Sequence, residues 1–306
     1  EYEKSEEELR KAIEIDPDFI SAHLALGDIY AKTQQLELAE EEANKVLEIQ
    51  DNVPEARLLL GLVAMARQQF DLAKAEFEKA LAVKSDHGEA HYQLGLAYKA
   101  LGNTPAAIIS LERSIELMKN HLPSLINLTV WSFEIGNYEN TAEYGEKVLS
   151  FDSKNIVVRN VLSAVYAQTG RHDEALAQIE NIREINPDAP NINVTEGIIY
   201  LGKRDFDKAI EASEKAIEEN PDNPVPYDTL GRAYTAKKDF AKAHEYLTKA
   251  LEKKPDYLPA ILGLGNLYGI QRKYFEAIQQ YHKALDIRES PPPEAHIGLG
   301  GVYRMT

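Results

Sequence analysis

His87 and His91 stand four apart in the stretch HGEAH. On a helix that spacing puts two imidazoles on one face, where they can share a zinc ion. Asp86 is the only neighbour that could add a third ligand, and the residue order of a metalloprotease helix is absent. Two surface histidines are therefore expected. Two glycosylation sequons start at Asn127 and Asn193; both fall in helical patterns and are read as chance. There is no cysteine, hence no disulfide framework and no thiol chemistry. No glycine-rich phosphate loop, no nucleophile beside a base and no paired buried carboxylates stand out. The chain is expected to be no enzyme, with no catalytic residue, no cofactor and no metal.

The elements that carry these residues repeat. Residues 224–257, PVPYDTLGRAYTAKKDFAKAHEYLTKALEKKPDY, read as two amphipathic helices joined by a tight turn. Pro224 and Pro226 suit a helix start, where a missing N–H costs nothing. The first helix is expected from about Tyr227 to Ala236, with Tyr227, Leu230 and Tyr234 on one face. Gly231 lies on that face at a cost of about 1 kcal/mol to the helix. Small Ala243 on the second helix is expected to face it, letting the backbones approach. Phe240, Leu247, Ala250 and Leu251 make the second apolar face, and Pro255 stops the helix.

A period of 34 residues carries this unit along the chain, the mark of a stacked array. Its eighth place holds Gly27, Gly61, Gly95, Thr129, Ser163, Gly197, Gly231 and Gly265. The small residue of the second helix is Ala39, Ala73, Ala107, Thr141, Ala175, Ala209, Ala243 and Ala277. This pattern closely resembles the tetratricopeptide repeat (TPR). The resemblance implies an all-α, right-handed TPR superhelix, an α-solenoid of helix–turn–helix repeats with an inner groove. Eight full repeats are expected over 20–53, 54–87, 88–121, 122–155, 156–189, 190–223, 224–257 and 258–292, in a single array over 1–306. Half repeats fill 1–19 and 293–306, so a piece of a longer array is expected, and Pro291 to Pro293 read as a spacer before the last unit.

Fifty acidic residues against 34 basic ones leave a net charge of −16. That argues against nucleic acid or an anionic membrane as partner. The longest apolar run, Leu58 to Ala66, is too short to enter and cross a bilayer, which takes about 20 residues. The compartment stays open between cytoplasm and periplasm.

The resemblance assigns places 2, 5, 6, 9, 12 and 13 of each first helix to the concave groove. Those places hold Leu58, Leu62, Met65, Tyr92, Gln93, Leu96, Ile126, Asn127, Val130, Phe133, Asn160 and Ile198, then Asp228, Arg232 and Asn266. A helix apolar all round should be buried all round, and the first helices near 57–66 and 122–135 fit that description. An apolar partner peptide or helix is therefore expected in the groove, its register set by Asn127, Asn160, Asp228, Arg232 and Asn266. The clamp by which some TPR domains grip a chaperone's C-terminal carboxylate is absent: Leu58, Tyr92 and Ile126 stand where lysine is needed. One rival reading is a structural factor that stacks or self-associates through uncapped ends. Another is the recruiting part of an enzyme whose catalytic domain lies elsewhere. Repeat 122–155 is the odd one, with Thr129, Thr141 and Gly145 at unusual places. Trp131, the sole tryptophan, is expected to fill the space Gly145 leaves.

Overall fold

The computed structural model describes residues 2–287 and 292–305. Among these are eighteen α-helices and no strand, and the fold is an all-α solenoid of helical repeats. Pro291, with the start of the expected spacer, lies outside the described residues, while Pro293 opens the last helix.

The chain forms two compact units, Glu1–Val161 and Leu162–Thr306. Unit 1 begins with α1 (Tyr2–Ile15). Four helical hairpins follow: α2 (Ile20–Lys32) with α3 (Leu36–Ile49), α4 (Pro54–Ala66) with α5 (Phe70–Val83), α6 (Gly88–Ala100) with α7 (Thr104–Leu117), and α8 (Leu122–Glu134) with α9 (Tyr138–Phe151). The division falls within α10 (Ile156–Gln168). Unit 2 continues with α11 (His172–Ile185) and three hairpins: α12 (Ile192–Lys203) with α13 (Phe206–Glu219), α14 (Pro224–Ala236) with α15 (Phe240–Lys253), and α16 (Leu258–Ile270) with α17 (Tyr274–Asp286). The last helix is α18 (Pro293–Tyr303).

The best-patterned repeat shows how the sequence sets its helices. α14 starts at Pro224, three residues before the expected Tyr227. The Asn223 side chain caps it, accepting the Val225 amide at 3.0 Å. Both prolines fall in the first turn, whose amides have no intrahelical partner anyway. At the other end Lys238 adopts a left-handed φ of 64°. Its N–H donates to Thr235 O, and the Asp239 N–H donates to Tyr234 O, each at 3.0 Å. These paired bonds make a Schellman turn, which stops a helix by satisfying its last carbonyls. Asp239 then caps α15 by accepting the Lys242 amide at 3.2 Å. The same left-handed place recurs at Gln34, Gln68, Gly102, Gly136, Gly170, Arg204 and Arg272. Only three of these turns use glycine, so the motif is fixed by hydrogen bonding rather than by residue type.

The small residues approach each other as expected: a Cβ on Gly95 would stand 3.2 Å from Ala107 O, and one on Gly197 3.6 Å from Ala209 O. The nearest side chain, however, is another one: a Cβ on Gly231 would stand 2.5 Å from Leu247 Cγ. Gly61 meets Phe77, Gly95 meets Leu111, Gly197 meets Ser213 and Gly265 meets Tyr281 in the same way. The eighth place thus faces the twenty-fourth, one turn beyond the alanine. Leu247 is also wedged from the far side, 2.7 Å from a Cβ on Gly263 of the next helix. Fully buried, it anchors a cluster with Tyr227, Ala250, Leu264 and Leu267.

In the odd repeat Gly145 holds that twenty-fourth place and Thr129 the eighth, and both are buried. The Thr129 hydroxyl donates to Leu125 O at 2.8 Å and so loses nothing by burial. Trp131 packs into a cluster with Ala107, Ile108 and Leu111 on α7 and with Leu128, against which Tyr144 of α9 also packs.

Candidate binding surfaces

First helices of successive repeats lie side by side within each unit: α2, α4 and α6 in unit 1, and α12, α14, α16 and α18 in unit 2. Their shared face places the expected groove residues. In unit 1, Leu58, Leu62 and Met65 of α4 are half-buried against the cluster of Ala64, Phe77, Leu94 and Ala97. Tyr92 and Leu96 of α6 and Val130 of α8 are half-buried against the Trp131 cluster. Packing between neighbouring repeats thus covers part of a face that the sequence alone left bare. What stays open is a band of apolar edges.

Polar groups punctuate that band. Tyr92 hydrogen-bonds Asn127 on the next first helix, and burial raises its pKa. Its ring also meets His121 edge-on, with centroids 4.9 Å apart. The Gln93 amide donates to Glu89 at 2.8 Å. Phe133 lies 6.0 Å from Tyr138, and Ile126 is half-buried. Lys99 pairs with Glu134 and stands 5.5 Å over the Trp131 ring. Asn160 is exposed.

In unit 2, Ile198 is 46% exposed. Arg232 and Asn266 line a cavity of about 640 Å³ with Thr235, Ala236, Leu258, Pro259, Leu262, Gly263, Ile270, Pro292 and Glu294. Asn266 is held by the Tyr281 hydroxyl, which donates to its Oδ1 at 2.7 Å. Asp228 differs from the other polar groove residues: it is 4% exposed. Its Oδ1 has no hydrogen-bond partner among the described residues, and Arg232 comes only to 3.8 Å of Oδ2. Desolvation pushes its pKa up to about 6, with Arg232 opposing. The nearby Tyr257 phenol is pushed to about 12 by burial and by the Asp228 charge.

The sequence reading named only Asp228, Arg232 and Asn266 in repeats seven and eight. It missed Leu258, Pro259, Leu262 and Ile270. Leu262 and Pro259 hold the same places of their repeat as Leu58 and Glu55, so place counting carried through the eighth repeat would have found them.

The two histidines of the HGEAH stretch are accounted for locally. His87 caps α6 by accepting the Ala90 amide at 3.3 Å, and His91 Nε2 bonds Ser85 O at 3.0 Å. Both sequons lie within helices, and the Asn193 amide donates to Glu219 at 2.5 Å. No helix among the described residues is long and apolar enough to cross a membrane.

Stacked helical hairpins of this kind define the class of helical-repeat proteins. Tetratricopeptide repeat models match residues 20–53, 58–117, 160–224, 200–264 and 260–290, and a TPR repeat model matches 1–34. The chain belongs to the tetratricopeptide repeat family, whose members are protein–protein interaction scaffolds and in general non-catalytic.

No curated protein sequence matches it significantly. Among solved structures, a tetratricopeptide repeat protein from Parabacteroides merdae superposes with a TM-score of 0.69 at 15% identity, over 82% of this chain and 98% of that one. YrrB, a TPR protein with an unusual peptide-binding site, gives 0.52 at 21% identity, over 64% and 97%. PilF of Pseudomonas aeruginosa gives 0.53 at 19% identity, over 66% and 92%. At these identities the likeness is one of fold.

Proposed function

We propose that this chain is a non-catalytic scaffold that binds an apolar peptide or helical segment of a partner protein on the first-helix faces of its repeats. The observation that carries the reading is the run of half-buried apolar side chains on adjacent helices, Leu58, Leu62, Leu96 and Val130, interrupted by Asn127. Neighbouring repeats bury one side of each and leave the other to water, and such a contiguous patch is what interaction sites present. Affinity comes from covering that area, and register from the polar groups set among it. The peptide-binding site of YrrB, on a similar fold, supports the same use of the repeat.

The test is a random peptide display library panned against the chain, with a Leu62→Glu, Val130→Glu double variant as comparison. Selected peptides are expected to be apolar and to lose binding to the variant, whose circular dichroism should be unchanged. Peptides that bind both proteins equally would place the interaction elsewhere. Light-scattering mass over a range of concentrations separates the rival use: self-association of the wild type that the variant loses makes this face a contact between copies.

A further inference from the structure

His23 is buried on α2, and both of its ring nitrogens are engaged. Nδ1 lies 2.5 Å from Glu42 Oε2 on α3, and Nε2 lies 2.9 Å from Pro17 O in the turn between α1 and α2. A carbonyl only accepts hydrogen bonds, and so does an ionised carboxylate. A neutral imidazole carries one N–H, so it serves one of these partners and turns a lone pair on the other. Only the doubly protonated ring serves both.

The repeat supplies two comparisons. At the same place in three other repeats a donor reaches the carbonyl six residues back: His91 Nε2 to Ser85 O at 3.0 Å, Arg159 Nη2 to Ser153 O at 2.7 Å, and the Tyr227 hydroxyl to Pro221 O at 3.1 Å. The second comparison concerns the carboxylate. Arg57 stands at the place of His23 in the next repeat and donates at 3.2 Å to Glu76, which stands at the place of Glu42. Lys79 takes the other oxygen of Glu76 at 2.6 Å, as Lys45 takes that of Glu42 at 2.9 Å. His23 thus holds a cation's place, and unlike arginine it is a side chain that can give up its charge.

The surrounding charges suit a cation. Asp18 of the turn and Lys45 and Glu48 of α3 line the same opening as His23. With Glu42 they set three carboxylates against one ammonium. Other charges are engaged elsewhere: Asp16 accepts the Asp18 amide, Glu6 and Arg10 of α1 bond the Tyr30 hydroxyl, Asp28 of α2 pairs with Lys32, and Arg57 of α4 pairs with Glu76. α1 itself has few other ties. None of its residues is buried, and Leu9 and Ile13 make its apolar contact with the cluster of Leu26 and Tyr30.

We propose that His23 is an imidazolium clasp joining the α1–α2 turn to α3, and that loss of its proton as pH rises releases the turn and undocks α1. A lone pair then faces Pro17 O or Glu42 in place of an N–H. Undocking bares Leu9, Ile13 and the part of the Leu26 and Tyr30 cluster that they cover, so this apolar surface of unit 1 is closed in acid and opened in alkali.

The test follows the rings in protein labelled with ¹⁵N in histidine, by two-bond ¹⁵N–¹H correlation from about pH 5 to about pH 9. Both His23 nitrogens are expected to carry protons at the acid end, and one to lose its proton on the way up. His91, with Ser110 where His23 has Glu42, is the internal comparison. Hydrogen exchange over the same range should show the protection of α1 amides falling about tenfold as the His23 ring deprotonates, the worth of one hydrogen bond to a charged group. Protection within α5 should hold. His23→Arg, checked for native circular dichroism, should keep α1 protected throughout; if that variant loses its structure, the two wild-type measurements decide alone. A His23 ring whose proton count stays the same over the whole range overturns the proposal. So does α1 protection that ignores the titration of the ring, or that still follows pH in a folded His23→Arg protein.

Discussion

Replacing Asp228 by asparagine is expected to stabilise the protein at neutral pH and to have little effect in acid. The carboxyl has a usual pKa of 3.8 in the unfolded chain and about 6 in the folded one, because burial disfavours its charged form more than Arg232 favours it. The folded state therefore holds the proton more tightly. Between pH 3.8 and 6 it binds more protons than the unfolded state does, so stability falls as pH rises through that window and levels off above it. The difference of about two pKa units corresponds to about 3 kcal/mol at roughly 1.4 kcal/mol per unit. Asparagine keeps the shape and removes the titration. Urea unfolding of both proteins, followed by circular dichroism, should therefore give nearly equal stabilities near pH 4. Near pH 7.5 the variant should be more stable by up to about 3 kcal/mol. Because both proteins carry every other titrating group, the difference between them isolates this one. Repeat arrays can unfold in parts, so hydrogen exchange of α14 serves as the local check. A variant-minus-wild-type difference that stays constant from acid to neutral pH would refute the claim that Asp228 is buried and unpaired.

Gly231→Ala should cost about 1–3 kcal/mol in urea unfolding, since its Cβ would stand 2.5 Å from Leu247 Cγ and 3.2 Å from the Leu247 backbone nitrogen; a neutral effect would show that Leu247 moves freely. Lys238→Gly should stabilise unit 2 by about 0.5–1 kcal/mol, because glycine takes the left-handed turn conformation without the strain of a side chain; thermal melts would show it, and a loss of stability would mean that the lysine side chain contributes more than its backbone costs. Trp131 is 7% exposed and the sole tryptophan; its fluorescence should be blue-shifted in the native protein and should report the unfolding of unit 1 alone, whereas an emission maximum typical of hydrated indole would contradict its packing on α7.

The repeat itself was plain in the sequence because one period governs both helices of every hairpin. Spacings of three and four select the inward faces, and glycine and alanine recur at fixed places. What a one-dimensional period does not carry is the offset between two packed helices. That is why Leu247, the side chain nearest Gly231, was not picked out beside Ala243. The start of α14 was placed three residues late, at Tyr227 rather than Pro224, although the amides that the two prolines lack are ones the first turn leaves unbonded. Asp228 was read as one of a set of polar groove residues from its place in the repeat. Its burial comes from the next repeat, whose Gly263 brings bare backbone against it. The left-handed turn places were hidden because glutamine, arginine and lysine occupy five of the eight.

Those turns bear on how the chain comes into being during synthesis. Each one closes its helix pair with bonds between residues at most five apart, such as Gln35 N–H to Tyr30 O and Lys273 N–H to Tyr268 O. A hairpin can then close as soon as its own 34 or so residues have left the ribosome, on a microsecond scale that is far faster than addition of the next amino acid. The strain accepted at Gln34, Gln68, Arg204, Lys238 and Arg272 is local to each hairpin. A destabilised turn should therefore delay only its own repeat and leave a nascent chain with one frayed step, open to chaperones or proteases, between neighbours already formed.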